Sequence, residues 1–199
     1  MSTFVDGPTP VAATPQPIKE KPAWYSMRAA AKGTLELSIY EEIGSWGVTA
    51  SDFKRDLDYF GEVGNINLRI HSPGGGVFDG LAIYNMLRAH PARVHVYIDG
   101  LAASIASFIA MAGDVVTIPS NAFMMIHKPW TVSVGDAEAL RQNAELLDKV
   151  ESTLVAAYRD RTGLTDADIA EMLTAETWLT GEEAVGFGFA DNLVGRLIN

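Results

Sequence analysis

Apolar residues recur along most of this chain with two distinct periods. In "GTLELSIY" Leu35, Leu37 and Ile39 alternate with polar neighbours, and "NINLRIHS" and "RVHVYIDG" repeat that period of two, so each reads as a strand. Between them the period lengthens. "TASDFKRDLDYF" opens on a capping threonine and places Phe53, Leu57 and Phe60 at helical spacing. "GVFDGLAIYNMLRAH" reads as a helix stopped by Pro91. After "RVHVYIDG", Gly100 permits a sharp turn out of a strand ending at Ile98, and "LAASIASFIAMAG" supplies a small, apolar helix beginning near Ser104. "DVVTIPSNAFMMIH" gives two short strands broken at Pro119 and Asn121. A long amphipathic helix follows over 136–163, with Leu140, Leu146, Leu147, Val150, Leu154 and Tyr158 on its apolar side and Gly163 as its C-terminal cap. "LTDADIAEMLT" and "TGEEAVGFG" are short helices, and "ADNLVG" closes the pattern.

Strand followed by helix, repeated with short connections, predicts an α/β fold of parallel strands joined by right-handed crossovers. A length of 199 residues favours one domain. That domain is expected over 23–199. Residues 1–22 hold five prolines among small polar residues, too little apolar area to offset ordering, and are expected to form a flexible tail.

Composition narrows the function classes. A net charge of −10, with Lys and Arg scattered, argues against a nucleic-acid partner. The absence of cysteine removes disulfides, thiolate catalysis and zinc–thiolate sites. No metal or cofactor is expected. With neither a signal-peptide core nor an unbroken apolar run of membrane length, a soluble cytoplasmic protein is expected, without membrane partners.

Three stretches can carry chemistry. "RIHSPGGGVFDG" turns from strand to helix through consecutive glycines, which let backbone N–H groups approach a ligand; the same glycines would also serve a plain tight turn. It lacks the Gly-Lys-Ser/Thr of a nucleotide-binding loop and the dinucleotide glycine spacing. "DGLAASIAS" places Ser104 at a helix start, beside unpaired N–H groups and the positive end of the dipole. Ser104 there is either a helix cap or a nucleophile, and Ser107, one turn deeper, is a packing residue. "FMMIHKPW" ends a strand on His127, which is either a hydrogen-bonded core histidine or a general base. His71, His90 and His95 sit in weaker settings.

In this order, and with "ETWLTGEEAVGFGFADNLV" after them, these motifs resemble the ClpP family of serine peptidases over about Trp24 to Val194. "EIGSWGVTASDF" and "SPGGGVFDGLAIYN" are most similar to its bacteriophage and prophage branch, the ClpP-related head maturation proteases. The resemblance implies a ClpP/crotonase-like α/β fold of repeated β-β-α units that assembles into homo-oligomeric rings. It assigns the nucleophile to Ser104, the base to His127, and the oxyanion hole to the N–H groups of Gly75 and Ile105. The family's usual aspartate falls on Glu176, preferred here over Asp166, Asp168 or Asp191. Peptide and protein substrates are implied, with phage capsid or scaffold proteins as the class, in the bacterial cytoplasm or within the prohead. The N-terminal segment does not resemble the family's axial loops, which leaves an ATP-driven AAA+ unfoldase an open partner. Rival readings on the same fold are an acyl-CoA enzyme of crotonase type, a ring scaffold without activity, and a Ser-Lys peptidase using Lys128.

Overall fold

The computed structural model describes residues 23–30 and 33–195; the proline-rich tail expected over 1–22 lies outside the described residues. The elements in chain order are β1 (Tyr25–Ala30), β2 (Thr34–Tyr40), α1 (Ala50–Tyr59), β3 (Asn65–Ser72), α2 (Val77–Ala89), β4 (Arg93–Ala103) and α3 (Ile105–Ala110). They continue with β5 (Val115–Pro119), β6 (Phe123–Ile126), α4 (Ala137–Thr162), α5 (Asp166–Thr174), β7 (Thr177–Thr180), α6 (Gly181–Gly186) and β8 (Asn192–Val194). All strands join one sheet in the order β1-β2-β3-β4-β5-β8, with β6 pairing β4 and β7. The pairs β2/β3, β3/β4, β4/β5, β4/β6 and β5/β8 are parallel, as the strand–helix alternation predicts. The pairs β1/β2 and β6/β7 are antiparallel.

The period of two in the strands has a direct consequence. Leu35, Leu37, Ile39, Ile66, Leu68, Ile70, Val94, Val96, Ile98, Val116 and Ile118 all point to one face and are buried. The opposite positions, among them Glu36, Asn67, Arg69 and Tyr97, stay partly exposed and polar. Strands of a parallel sheet covered on both faces read as continuous apolar runs; these alternate, so the chain's own helices cover one face.

The expected end of the central strand at Ile98 is corrected. β4 runs through Gly100 to Ala103, because two partners divide its length: His95–Tyr97 pair with β5, and Leu101–Ala103 pair with β6. Gly100 is needed for a different reason than a turn, since a Cβ there would lie 2.9 Å from the His71 ring. The expected apolar stripe of α4 also divides. Val150, Leu154 and Tyr158 are buried, whereas Leu140 and Leu146 in its first half are exposed.

Thr49, Thr165 and Thr180 each cap a helix in a reciprocal box with Asp52, Asp168 and Glu183 respectively. Hydrogen bonds from Thr49 (its backbone N–H above all), from Thr165 (its hydroxyl above all) and from Thr180 (its backbone N–H above all) hold these three carboxyls below the usual range. A depressed folded-state pKa contributes stability that is present above the unfolded value and lost as pH falls through the folded one. The midpoint of thermal unfolding is therefore expected to fall as pH drops below about 4. Replacing all three carboxylates by Asn or Gln should flatten that dependence.

Candidate active site

Ser104 sits where β4 meets α3, as the N-cap of the helix. Its backbone has φ 55 and ψ −131, a region that side-chain-bearing residues avoid at a cost of about 1–3 kcal/mol. Neighbouring groups hold it there. Its N–H donates to the Met125 carbonyl at 2.9 Å, tying it to β6. Its own carbonyl accepts the N–H of Ser107 at 3.0 Å and the Ser107 hydroxyl at 2.6 Å. Ser107 is fully buried, as a packing residue should be, but it also shares a 2.8 Å hydrogen bond with the Tyr158 hydroxyl of α4. Burial pushes the Tyr158 phenol well above its ordinary pKa, so it stays neutral in that bond.

The pairing of β4 with β6 sets the histidine. Ala103 stands beside Met125, so His127, just past the end of β6, falls next to Ser104. His127 Nε2 lies 2.8 Å from Ser104 Oγ, and the imidazole is 17% exposed. The ladder of β6 with β7 then brings up Glu176. Met125 pairs with Trp178 and Ile126 with Thr177, so one step further along this antiparallel ladder places Glu176 opposite His127. The Leu173 carbonyl reinforces this by accepting both the Lys128 N–H at 3.1 Å and the Glu176 N–H at 3.3 Å. Glu176 Oε2 is 3.8 Å from His127 Nδ1, ion-pair range but beyond a hydrogen bond, and the carboxylate is 58% exposed.

The competing acids have other partners. Asp166 faces Arg159, Asp168 belongs to the α5 capping box, and Asp191 pairs with Arg161 and accepts the Val116 N–H. Lys128 pairs with Glu151 at 3.1 Å. His90 accepts the Ala92 N–H, and His71 packs edge-on to Tyr40.

The glycine turn closes the third side. Ile43 N–H donates to the Gly74 carbonyl at 2.7 Å and the Gly76 N–H to the Ile43 carbonyl at 2.9 Å, a bridge in which the Gly75 N–H takes no part. Gly75 has φ +139, and a Cβ there would fall on the Ile43 carbonyl oxygen. Gly74, at φ +102, lies against Ser104 itself: a Cβ would come within 2.6 Å of the Ser104 Cβ. Ile105 is the first helical residue of α3, and α-helical geometry leaves its N–H without an intrahelical acceptor.

Sequence reasoning missed two contributors here. Ser72 is buried; its hydroxyl donates to the Glu41 carbonyl at 2.6 Å and accepts the Gly74 N–H at 3.1 Å. The signal was available, since a serine two residues before the glycine it binds is a recurrent turn device. Gly80 was read only as part of a helix, yet a Cβ there would collide with the Ile105 side chain, so it sets how closely α2 approaches α3.

Ser104 and His127 line a groove of about 750 Å³ whose other walls include Gly74, Gly75, Val77, Met125, Leu146 and Val150. A serine hydroxyl bonded to an imidazole, a carboxylate behind the imidazole and two N–H groups nearby are the parts needed for acyl transfer. Among the described residues no helix is long and apolar enough to cross a membrane.

A family model described as Clp protease matches residues 56–196. An ATP-dependent Clp protease proteolytic subunit of Cuscuta reflexa is 35% identical over 135 residues, 65% of this chain and 66% of the relative. Subunit 3 of Streptomyces coelicolor is 33% identical over 136 residues, 67% of this chain and 62% of the relative. Subunit 1 of Protochlamydia amoebophila is 32% identical over 133 residues, 63% of each chain. The chain thus spans slightly under two thirds of the length of these relatives.

Proposed function

Because the chain belongs to the Clp protease family, we propose that it is a serine endopeptidase in which Ser104 is the nucleophile, His127 the general base and Glu176 the acid behind it. The observation that carries this reading is the 2.8 Å contact between Ser104 Oγ and His127 Nε2 on the wall of the groove. As Ser104 Oγ attacks the scissile carbonyl, His127 Nε2 takes its proton. The oxyanion that forms accepts hydrogen bonds from the N–H groups of Gly75 and Ile105. Collapse breaks the C–N bond, the proton passes from His127 to the leaving amine, and water hydrolyses the acyl-enzyme by the same route. No step calls for a cofactor or metal.

The proposal extends to assembly and substrate. A homo-oligomeric ring is supported by the family and by the exposed Trp130, Val132 and Val134 beside the half-exposed start of α4. The likeness of "EIGSWGVTASDF" to the phage branch supports capsid or scaffold proteins as substrates, cleaved in the host cytoplasm or prohead. An AAA+ unfoldase is not required for substrates assembled around the enzyme.

A serine-directed fluorophosphonate is expected to label the folded protein at Ser104, located by peptide mass spectrometry. Label on Ser107, or none, would sink the reading.

A further inference from the structure

Glu176 occupies an unusual place for the third member of such a site. It follows the C-cap of α5 at φ 51, where a glycine would be at ease, and so its side chain leaves the backbone in a direction that few residues are held to. Its carboxylate is largely in water and 3.8 Å from His127, so the imidazole alone holds it weakly. The other oxygen has a second partner: Trp178 Nε1 donates to Glu176 Oε1 at 3.4 Å. Trp178 pairs with Met125 of β6, and its indole reaches back over the turn to Glu176. Each carboxylate oxygen thus meets one ring nitrogen, the indole on one side and the imidazole on the other.

The geometry points to Trp178 as a positioning residue, whose indole N–H steadies the Glu176 carboxylate against water and keeps Oε2 turned to His127 Nδ1. This rests on the peptidase reading above. A glutamate is one methylene longer than an aspartate and has one more rotatable bond to fix, which an indole donor restricts and a plain apolar ring would not. Indole is suited to the task because it donates without accepting and carries no charge that would compete for the carboxylate.

Trp178→Phe keeps the ring and removes the donor, and at 52% exposure the exchange does not open the core. It is expected to lower kcat on a peptide substrate about two- to tenfold, the scale of an ordinary hydrogen bond, since exposure and a 3.4 Å length weaken this one, with KM little changed. With Glu176 less often at Nδ1, the imidazole is held less firmly in the orientation that takes the Ser104 proton. Glu42 in the groove and the Lys128–Glu151 pair are the same in every variant, so they do not contribute to the difference. In a Glu176→Ala background the tryptophan exchange should change neither quantity.

The His127 Nδ1–H resonance, which reports the carboxylate beside it, is followed by NMR in the Ser104→Ala protein, with and without Trp178→Phe, so this arm needs no turnover. An unchanged His127 Nδ1–H resonance overturns the proposal. So does a kcat loss that persists undiminished in Glu176→Ala, or one expressed wholly in KM, since either makes Trp178 a substrate contact. If Ser104→Ala cleaves as well as the parent, the peptidase reading fails instead, and the Nδ1–H resonance still decides whether the indole steadies the carboxylate.

Discussion

Ser104→Ala is expected to reduce kcat for peptide cleavage by roughly a million-fold, the scale seen when a serine nucleophile acting with its histidine is removed. The substitution deletes the hydroxyl that His127 Nε2 meets at 2.8 Å in the groove, and alanine has nothing to attack with. Folding should survive. The N–H and carbonyl that hold residue 104 to Met125 and Ser107 are backbone groups and remain, and alanine meets the same strain at φ 55 as serine does. The informative measurement is therefore kcat beside the thermal midpoint. A midpoint within a few degrees of the parent with cleavage gone supports Ser104 as nucleophile. Retention of activity within tenfold would refute that role.

Gly75→Ala should be the next most damaging change, lowering kcat by about 100- to 1000-fold, the usual range for losing one oxyanion donor. At φ +139 an alanine is strained whatever the space around it, and its Cβ would fall on the Ile43 carbonyl oxygen. Backbone on both sides leaves no flexible side chain to give way, so the turn must move and carry its N–H with it. Gly76→Ala is the control. Gly76 has an ordinary φ of −62, and its added Cβ would meet a side-chain oxygen of Asp79 at 3.0 Å, which can shift slightly. It should lose less than about tenfold, a smaller perturbation than removing a donor. Equal losses in the two variants would show that the turn matters for packing and not for the position of one N–H.

Much of the architecture was legible in the sequence, for identifiable reasons. Leu35, Leu37 and Ile39 repeat with a period that has one structural meaning when turns bound it, and three capping threonines mark helix starts by their own chemistry. β7 was not legible. Thr177–Thr180 has only four residues, too few to show a period, and it is a strand because β6 offers it an edge. The extension of β4 past Gly100 was hidden for a related reason, since glycine and alanine carry no alternation and the partner that prolongs the strand lies some twenty residues on.

The site divides in the same way. Ser104, His127 and the glycine turn could be singled out because helix starts, strand ends and consecutive glycines have local signatures. Their meeting could not be read locally. It follows from two strand registers, Ala103 beside Met125 and Ile126 opposite Thr177, that join segments far apart in the chain. The resemblance alone preferred Glu176 over three aspartates; what the fold adds is that Asp166, Asp168 and Asp191 are engaged elsewhere. What the sequence determined by itself was the alternation that makes one sheet face apolar, and the residue types able to do acyl-transfer chemistry. What only the tertiary structure decided was which of those residues touch, because hydrogen bonds between strands depend on register and not on separation along the chain.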